Sequence, residues 1–587
     1  MKLLESAPWR YDQGVNFLTL GVDSKLKERI AHEFISSSDH VLEIGSGTGT
    51  LALLCARKGA RVIGIDRSPS MIVLAQAKAM KAHLVNNVQF RELDLTEIDH
   101  FPDASFDVVI ATLVLSELSE VEQAYALREA WRLLRPNGRL IIMDEVRPRS
   151  VRKMLPYYML RVPLTTFTFL LSQTTTHRMK ELEKKLRIFG FQITIQERYL
   201  LDSLVLLVAT KQPQWRIAAE SASLYPTIQL GSRIKYMAET LFRWVSVPTA
   251  PGYITVGHPS IESPVLVTCN YDLTIRRVLK ILQQAKIDCY VLVAPTRGIN
   301  VWCAACGGDF TAHSVIAAIK LSGINKLVRH RHLILPQLAA SGVDPDVIKQ
   351  KTGWTAQFGP VNATDIPAYL KKGEKKTLPM RTVRFPVARR LEMASLYAIM
   401  ISLLMIPLSL LFAPLRLVTT LGLVWLLICG AYLLSPYLPS RSGFVKMLVY
   451  GICSIFVILL VAFSTTGSPL GLPWELLVAI LILLVLSVDF NGMTPILPSD
   501  LGRLLYSRGY SEMPFFTGKY PLQPYGRITQ DMELCNGCGM CVQVCPVNVY
   551  QLDNTRRKAD LIHPRHCVNC NACVHRCPTN CLHIIKS

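Results

Sequence analysis

Charge is scarce in this chain. Asp, Glu, Lys and Arg make up 18% of its 587 residues, against about 25% in soluble domains. Acidic residues are the scarcer sign, 43 against 64 basic ones, which leaves a formal net charge of +21. With a mean hydropathy of +0.28, a plain soluble enzyme is a poor fit. Disorder is excluded too: 50% of the residues are hydrophobic, and such a chain can bury enough surface to fold. An opening apolar run is lacking. Met1–Gly14 has no hydrophobic core, so no signal peptide is expected there. No nucleic-acid motif stands beside the basic excess, and no nucleic-acid partner is expected. Cysteine is thin through most of the chain and crowded at its end, where nine of the 16 lie in the last 53 residues. Their C-x-x-C spacing, and the length of the chain, exclude a small disulfide-stapled secreted protein.

The length has room for roughly four domains of about 150 residues. The composition shifts divide the chain into an α/β block over 1–212, a linker over 213–233 and a second α/β block over 234–376. An apolar α-helical block over 377–490, a linker over 491–526 and a cysteine-rich block over 527–587 follow. In the apolar block, Ala394–Leu415 runs 22 residues without a charge, Leu417–Ser440 runs 24 and Met447–Trp474 runs 28. About 20 apolar residues cross the hydrocarbon core as a helix, so spans are expected near 395–413, 417–435 and 446–465. A weaker fourth lies near 473–489, where Leu476–Val488 gives only 13 uncharged residues after Glu475. A crossing and an interfacial helix both stand as readings of that run.

The basic residues favour four crossings. Arg381, Arg384, Arg389 and Arg390 precede the first span, Arg441 and Lys446 lie between the second and third, and Arg503 and Arg508 follow the fourth. The two opposite loops hold only Arg416. Positive loops stay on the cytoplasmic side. The expectation is a multi-pass inner-membrane protein with cytoplasmic N- and C-terminal domains, its basic segments facing acidic membrane lipid.

In the first block, His40–Gly49 reads HVLEIGSGTG: an apolar strand ending in Glu43, then Gly45, Gly47 and Gly49 opening a helix. Glycines allow backbone to pass close to a ligand. About 20 residues on, ARVIGID ends a second strand at Asp66, where an acid can bind ribose hydroxyls. FRELDL puts Asp94 after a third strand, FDVVIATLVLSEL reads as a fourth, and LRPNGRLIIMDEV as a turn and a fifth. The series, with a closing FQITIQER and LVLLVATK pair, resembles the class I S-adenosylmethionine-dependent methyltransferases. That resemblance implies a Rossmann-like fold with Glu43, Gly45, Gly47 and Gly49 near the cofactor, Asp66 on its ribose and Asp94 near its adenine. Pro156–Leu171 is an apolar insertion that reads equally as a docking segment or as a lid.

The second block carries GINVWCAACGGDF at Gly298–Phe310, preceded by VLVTCNYDLT and followed by LILPQLAASGV and FGPVNATDIPAYL. These strings resemble the corrinoid-binding domain of the membrane-bound mercury-methylating corrinoid proteins. More distantly they resemble the corrinoid iron–sulfur protein of acetyl-CoA metabolism. The resemblance implies a Rossmann-like corrinoid domain in which the Cys303 thiolate is the lower ligand of cobalt and the catalytic residue. Asn300, Trp302, Thr268 and Asn270 would stand beside the corrinoid. Electrophilic donors such as S-adenosylmethionine deliver methyl without its bonding electrons. A thiolate-ligated methylcobalamin can pass methyl with them, as a soft metal acceptor requires. The sequence departs from that family after Ala-Ala, where Cys306-Gly307 stands in place of Gly-Lys. Cys306 reads as a thiol for a soft substrate metal, as one of a redox pair, or as a small buried residue.

The last block holds Cys535-x-x-Cys538-x-x-Cys541-x-x-x-Cys545-Pro, repeated as Cys567-x-x-Cys570-x-x-Cys573-x-x-x-Cys577-Pro. This is the spacing of bacterial two-cluster ferredoxins, in which each fourth cysteine ligates the other cluster. Cys535, Cys538, Cys541 and Cys577 would then hold one 4Fe-4S cluster, and Cys567, Cys570, Cys573 and Cys545 the second. The mercury-methylating system has a separate ferredoxin of this kind ending in a cysteine pair; here the chain ends with Cys581 alone. The expected whole is a multidomain α/β protein with a four-helix transmembrane domain and a ferredoxin domain. Its expected activity is corrinoid- and iron–sulfur-dependent methyl transfer to a small inorganic or metalloid acceptor, fed by a low-potential electron donor. A corrinoid methyltransferase for a non-metal acceptor, and a membrane electron-transfer protein, are the alternatives.

Overall fold

The computed structural model describes residues 8–118, 120–150, 154, 157, 159, 179, 181–212, 248–384, 386–438, 443–466, 472–489, 527–553 and 555–585. Both linkers, and Pro156–Leu171 apart from Tyr157 and Met159, lie outside the described residues.

The first block opens with helix α1 (Pro8–Leu18) and builds a seven-stranded sheet. Its strands are β1 (His40–Ile44), β2 (Arg61–Asp66), β3 (Val88–Glu92), β4 (Phe106–Thr112), β5 (Leu134–Glu145), β6 (Phe191–Tyr199) and β7 (Leu204–Lys211). They run in the order β3-β2-β1-β4-β5-β7-β6, with β7 antiparallel to β5 and β6. Helices α2 (Thr50–Arg57), α3 (Pro69–Lys81) and α4 (Glu120–Leu133) cover the parallel strands. Strands covered on both faces read as apolar runs, which is why VVIA of β4 is wholly buried. The fourth strand is shorter than FDVVIATLVLSEL suggests. Leu113 takes φ 54, outside strand geometry, and Leu115–Glu117 turns into a 3-10 helix.

The second block is a five-stranded sheet of β8 (Gly252–Val256), β9 (Val265–Cys269), β10 (Cys289–Ala294), β11 (His332–Leu335) and β12 (Thr355–Phe358). Its order is β12-β11-β9-β10-β8, and β8 alone is antiparallel. Among its helices are α5 (Asp272–Gln284), α6 (Val301–Cys306), α7 (Ala312–Ser322) and α8 (Pro345–Thr352).

The apolar block forms α9 (Val387–Phe412), α10 (Leu417–Leu434), α11 (Gly443–Thr466) and α12 (Pro473–Asp489), which share one core. Among the described residues, three helices are long and apolar enough to cross a membrane. The fourth, α12, has 17 residues and spans about 25 Å at about 1.5 Å per residue, short of a hydrocarbon core of about 30 Å. Helix α9 begins earlier than the apolar count suggests, because Pro386 is its N-cap and the chain is already helical at Val387. Arg389 and Arg390 therefore lie inside the helix. Arg389 pairs with Glu392 at 2.8 Å, and Arg390 donates to the Leu433 carbonyl at 2.7 Å. Arg416 pairs with Glu475 of α12 at 2.5 Å.

The last block is two antiparallel pairs, β13 (Arg527–Gln530) with β16 (Leu582–Ile585) and β14 (Tyr550–Asp553) with β15 (Lys558–Leu561). One short helix lies within each cysteine run and carries its third cysteine, α13 (Met540–Val544) and α14 (Ala572–His575).

Candidate active site

The glycine loop after β1 has Gly45, Gly47 and Gly49 at φ 70, 51 and 77, a region that disfavours residues with a Cβ. A Cβ on Gly49 would stand 2.5 Å from the Phe90 ring, and one on Gly45 2.7 Å from Val114. Gly47 has only Tyr11 of α1 nearby, at 3.9 Å, so its bare backbone faces open space. Asp66 closes the loop: its Oδ2 accepts from Gly47 N at 2.9 Å and its Oδ1 from Ser68 N at 2.9 Å. Glu43 is 2% exposed, and burial raises its carboxyl pKa to about 8. Its Oε2 and Ser46 Oγ are buried without a hydrogen-bond partner among the described residues. Such orphaned atoms are costly, and a polar ligand on this loop would satisfy them. The site therefore fits a nucleoside-type cofactor.

Sequence reasoning missed two residues of this site. Asp12 on α1 accepts from Thr48 Oγ1 at 2.7 Å and pairs with Lys78 of α3 at 2.5 Å, tying the first helix to the loop. Glu97 forms a capping box with Asp94. Asp94 Oδ1 accepts from Thr96 N at 2.9 Å and from Thr96 Oγ1 at 2.7 Å, while Glu97 Oε2 accepts from Asp94 N at 3.3 Å. Glu97 also accepts from His313 Nδ1 at 3.0 Å and pairs with Lys351, both from the second block. No local pattern announces a pair more than 200 positions apart; the S/T/D-x-x-E box was the only available signal.

Burial works against the Glu97 charge, but His313 and Lys351 outweigh it and hold the carboxyl down to about 2. The Glu97 hydrogen bond in turn raises His313 above its ordinary 6.5. Linkage fixes the signs. The Glu97 contribution is present above its ordinary 4.5 and is lost as pH falls toward about 2. The His313 contribution is present below 6.5 and is lost as pH rises through its raised value. Docking of α7 on the first block should be tightest between these limits. Hydrogen exchange of the 312–322 amides, corrected for intrinsic rate, should show protection falling as pH rises above 6.5. Protection that is flat across that range would contradict this.

In the second block, Asn300 N-caps α6, its side chain accepting from Cys303 N at 3.1 Å. Cys303 and Trp302 are buried, at 5% and 7% exposure. Burial pushes the Cys303 thiol up to about 12, with Asn300 opposing the rise, so ligation of a soft metal would have to release its proton. Thr268 lies buried in β9, one residue before buried Cys269 at the strand's end. Asn270 is committed to backbone. Its Oδ1 accepts from Thr296 N at 2.9 Å and Gly298 N at 2.8 Å, and its Nδ2 donates to the Thr249 carbonyl at 2.9 Å. It holds the turn that leads into α6, so its place in the site is one of positioning. Thr296, which joins it at 3.0 Å, went unread in the sequence. A soft sulfur, a helix cap and a buried aromatic fit a corrinoid lower face.

The eight cysteines of the two runs lie in one small domain. Cys541 has Cys538, Cys535 and Cys577 as charge neighbours, and Cys573 has Cys545, Cys567 and also Cys541 of the first run. Cys545, Cys567, Cys570 and Cys573 line one small cavity. Burial pushes the Cys573 thiol up to about 12. Among the described residues no three His, Cys, Asp or Glu side chains converge tightly enough for a single ion, and a cubane spreads its ligands wider. The residues fit a 4Fe-4S group. Cys581 is buried, with its sulfur 3.4 Å from that of Cys577.

The second set faces α6. Cys570, Ala572 and Val544 share a core with Ala304, Ala305 and Phe310, and Cys306 packs against that core. Cys306 Sγ lies 3.5 Å from Ser341 Oγ, whose carbonyl meets His575 Nδ1 at 2.9 Å. Arg576 pairs with Asp344 at 2.6 Å, and Val383 N donates to the Pro546 carbonyl at 2.8 Å. Cys538, of the first set, is exposed.

Three family models match the chain. "Methyltransferase domain" covers residues 42–142, "CO dehydrogenase/acetyl-CoA synthase delta subunit" 236–370 and "4Fe-4S dicluster domain" 534–581. The demethylmenaquinone methyltransferase of Tropheryma whipplei is 31% identical over 195 residues, which cover 31% of this chain and 77% of that protein. The chain belongs to the methyltransferase family. It is an enzyme of the S-adenosylmethionine-dependent class, fused to a corrinoid-related domain and a 4Fe-4S ferredoxin domain. The acetyl-CoA decarbonylase/synthase complex subunit gamma of Methanopyrus kandleri is 39% identical over 122 residues, 21% of this chain. The chain spans about a quarter of that subunit's length, 26%. A solved S-adenosylmethionine-dependent methyltransferase from Methanosarcina mazei is 22% identical, covering 31% of this chain and 97% of its own, with a TM-score of 0.26.

Proposed function

We propose that the chain is a membrane-anchored methyltransferase that passes methyl from a corrinoid at Cys303 to a soft metal or metalloid, as in mercury methylation. Two 4Fe-4S clusters in the ferredoxin domain would supply electrons. One observation carries this reading: the cavity of Cys545, Cys567, Cys570 and Cys573 lies against the helix of Cys303 and Cys306. A corrinoid bound there supplies a methyl group with its bonding electrons, the form that an electron-poor acceptor needs. Asn300 fixes the backbone at Cys303, Asn270 and Thr296 hold the preceding turn, and the buried core around α6 excludes water. Cys306, half-buried on the same short helix as Cys303 and packed against the core that holds Cys570, is placed to hand on a soft ion or to pair with Cys303. The exposed Cys538 side is the face for a low-potential donor. The glycine loop of the first block binds S-adenosylmethionine and either loads the corrinoid or adds further methyl groups to the product. The three long apolar helices anchor the chain; α12, short of a full hydrocarbon core, would make a fourth crossing where the bilayer thins around it, and both ends would then stay on the cytoplasmic side of the inner membrane.

A second reading gives the methyltransferase a membrane-soluble quinone acceptor. It is favoured by the named relatives and by the apolar helices. The reduced, corrinoid-loaded protein should be incubated with methyl-labelled S-adenosylmethionine, and mercuric ion, arsenite, selenite or demethylmenaquinone then added. Label on the corrinoid, and afterwards on a metal or metalloid, is expected. Label on the quinone alone would replace this reading with the second.

A further inference from the structure

Glu97 belongs to two structures at once. Within the methyltransferase it closes the capping box that shapes the Asp94 turn, accepting from Asp94 N at 3.3 Å. Across the domain boundary it takes His313 at 3.0 Å and Lys351, and it is itself 5% exposed. His313 sits in the first turn of α7, whose N-cap Thr311 lies five residues after Cys306. Lys351 ends α8. The contact extends beyond these charges. Ala317 and Leu321 of α7 are 4% and 2% exposed, in one core with Tyr125 and Ile98 of the methyltransferase. Tyr125 OH donates to the Thr96 carbonyl at 3.1 Å, inside the same Asp94 turn. Lys320 pairs with Asp99 at 2.6 Å, one turn farther along. The Asp94–Glu97 turn is therefore held from below by the methyltransferase and from above by the helix that follows the Cys303 helix. Asp94 Oδ1 accepts from both Thr96 N and Thr96 Oγ1, so the carboxylate is fixed by the turn itself.

A buried carboxylate serving two partners cannot move toward one without strain on the other. Removing either cation leaves it desolvated and underpaired, which is costly. If the turn has one geometry when docked and another when free, a ligand that needs the docked geometry binds more tightly to the docked form. The coupling is reciprocal.

We infer that Glu97 is a positioning residue through which S-adenosylmethionine binding and docking of the Cys303 domain strengthen each other. A methyl donor would then be held at full affinity only while the corrinoid-related domain is in place. This rests on the reading of Asp94 as the adenine side of the site.

The test uses the full chain. Binding of S-adenosylmethionine is measured by calorimetry for the native protein, Glu97→Gln and Lys351→Met. Exchange of the 312–322 amides is followed with and without S-adenosylmethionine. Coupling of ordinary size is about 5- to 150-fold. Affinity should fall at least about 5-fold in both variants, and exchange in the native chain should slow when S-adenosylmethionine is added. Lys351 belongs to the other domain, so a purely local role for Glu97 in the turn would leave Lys351→Met unchanged. That result overturns the inference. So does native helix exchange that ignores bound S-adenosylmethionine, a measurement that needs no variant. Failure of the native chain to bind S-adenosylmethionine at all would overturn the underlying reading as well, and calorimetry alone distinguishes the two failures.

Discussion

Cys303→Ala is expected to lose methyl transfer from the corrinoid while S-adenosylmethionine binding stays at the native value. Even residues that only support a metal ligand cost about 10- to 100-fold when changed. Loss of the ligating sulfur itself should exceed that, and the visible spectrum of the bound corrinoid should shift because its axial ligand has changed. The substitution is mild for the fold. Cys303 sits on a short helix between Trp302 and Ala304, all buried, and alanine keeps the helix and removes one sulfur. The Asn300 cap bonds the backbone N–H at position 303, a contact that alanine keeps. Native transfer rates with an unshifted spectrum would remove Cys303 from the chemistry.

The second large effect concerns the four-cysteine cavity. Cys570→Ala should lower bound iron from about eight to about four atoms per chain, if each set holds one 4Fe-4S cluster. It should also loosen the ferredoxin domain from α6, because Cys570 belongs to the shared core. Exchange of the 301–306 amides should therefore rise. Cys538→Ala is the matched comparison. It removes a ligand of the other set, on an exposed face, so iron should fall by the same amount while exchange at α6 stays near native. Equal loosening by both substitutions would show that the docking does not run through the second set.

Local patterns were legible and distant ones were not. The glycine loop, Asp66 and the cysteine runs are short strings whose chemistry is set by spacing, and each reappears in the fold with its parts together. The sequence could place Asn270 beside a ligand but could not show that its amide oxygen is engaged by the backbone of the turn after a neighbouring strand. Glu97 and Asp12 were illegible for a plainer reason: their partners come from elements far away in sequence. Apolar counting located all four helices, yet it misplaced the start of α9. A helix can carry paired arginines in its first turns, and uncharged stretches register only the part beyond them.

The seat of the ferredoxin domain on α6 has a kinetic consequence. A separate electron carrier must find its partner by diffusion, and its delivery slows on dilution. Tethered modules meet instead at an effective concentration fixed by geometry, in the millimolar range or above for short connections. With Arg576 on Asp344 and Val383 on Pro546, that encounter is already made. On the proposed function, electron delivery between these two domains would be unimolecular, and its rate would not depend on how many copies of the protein a cell holds.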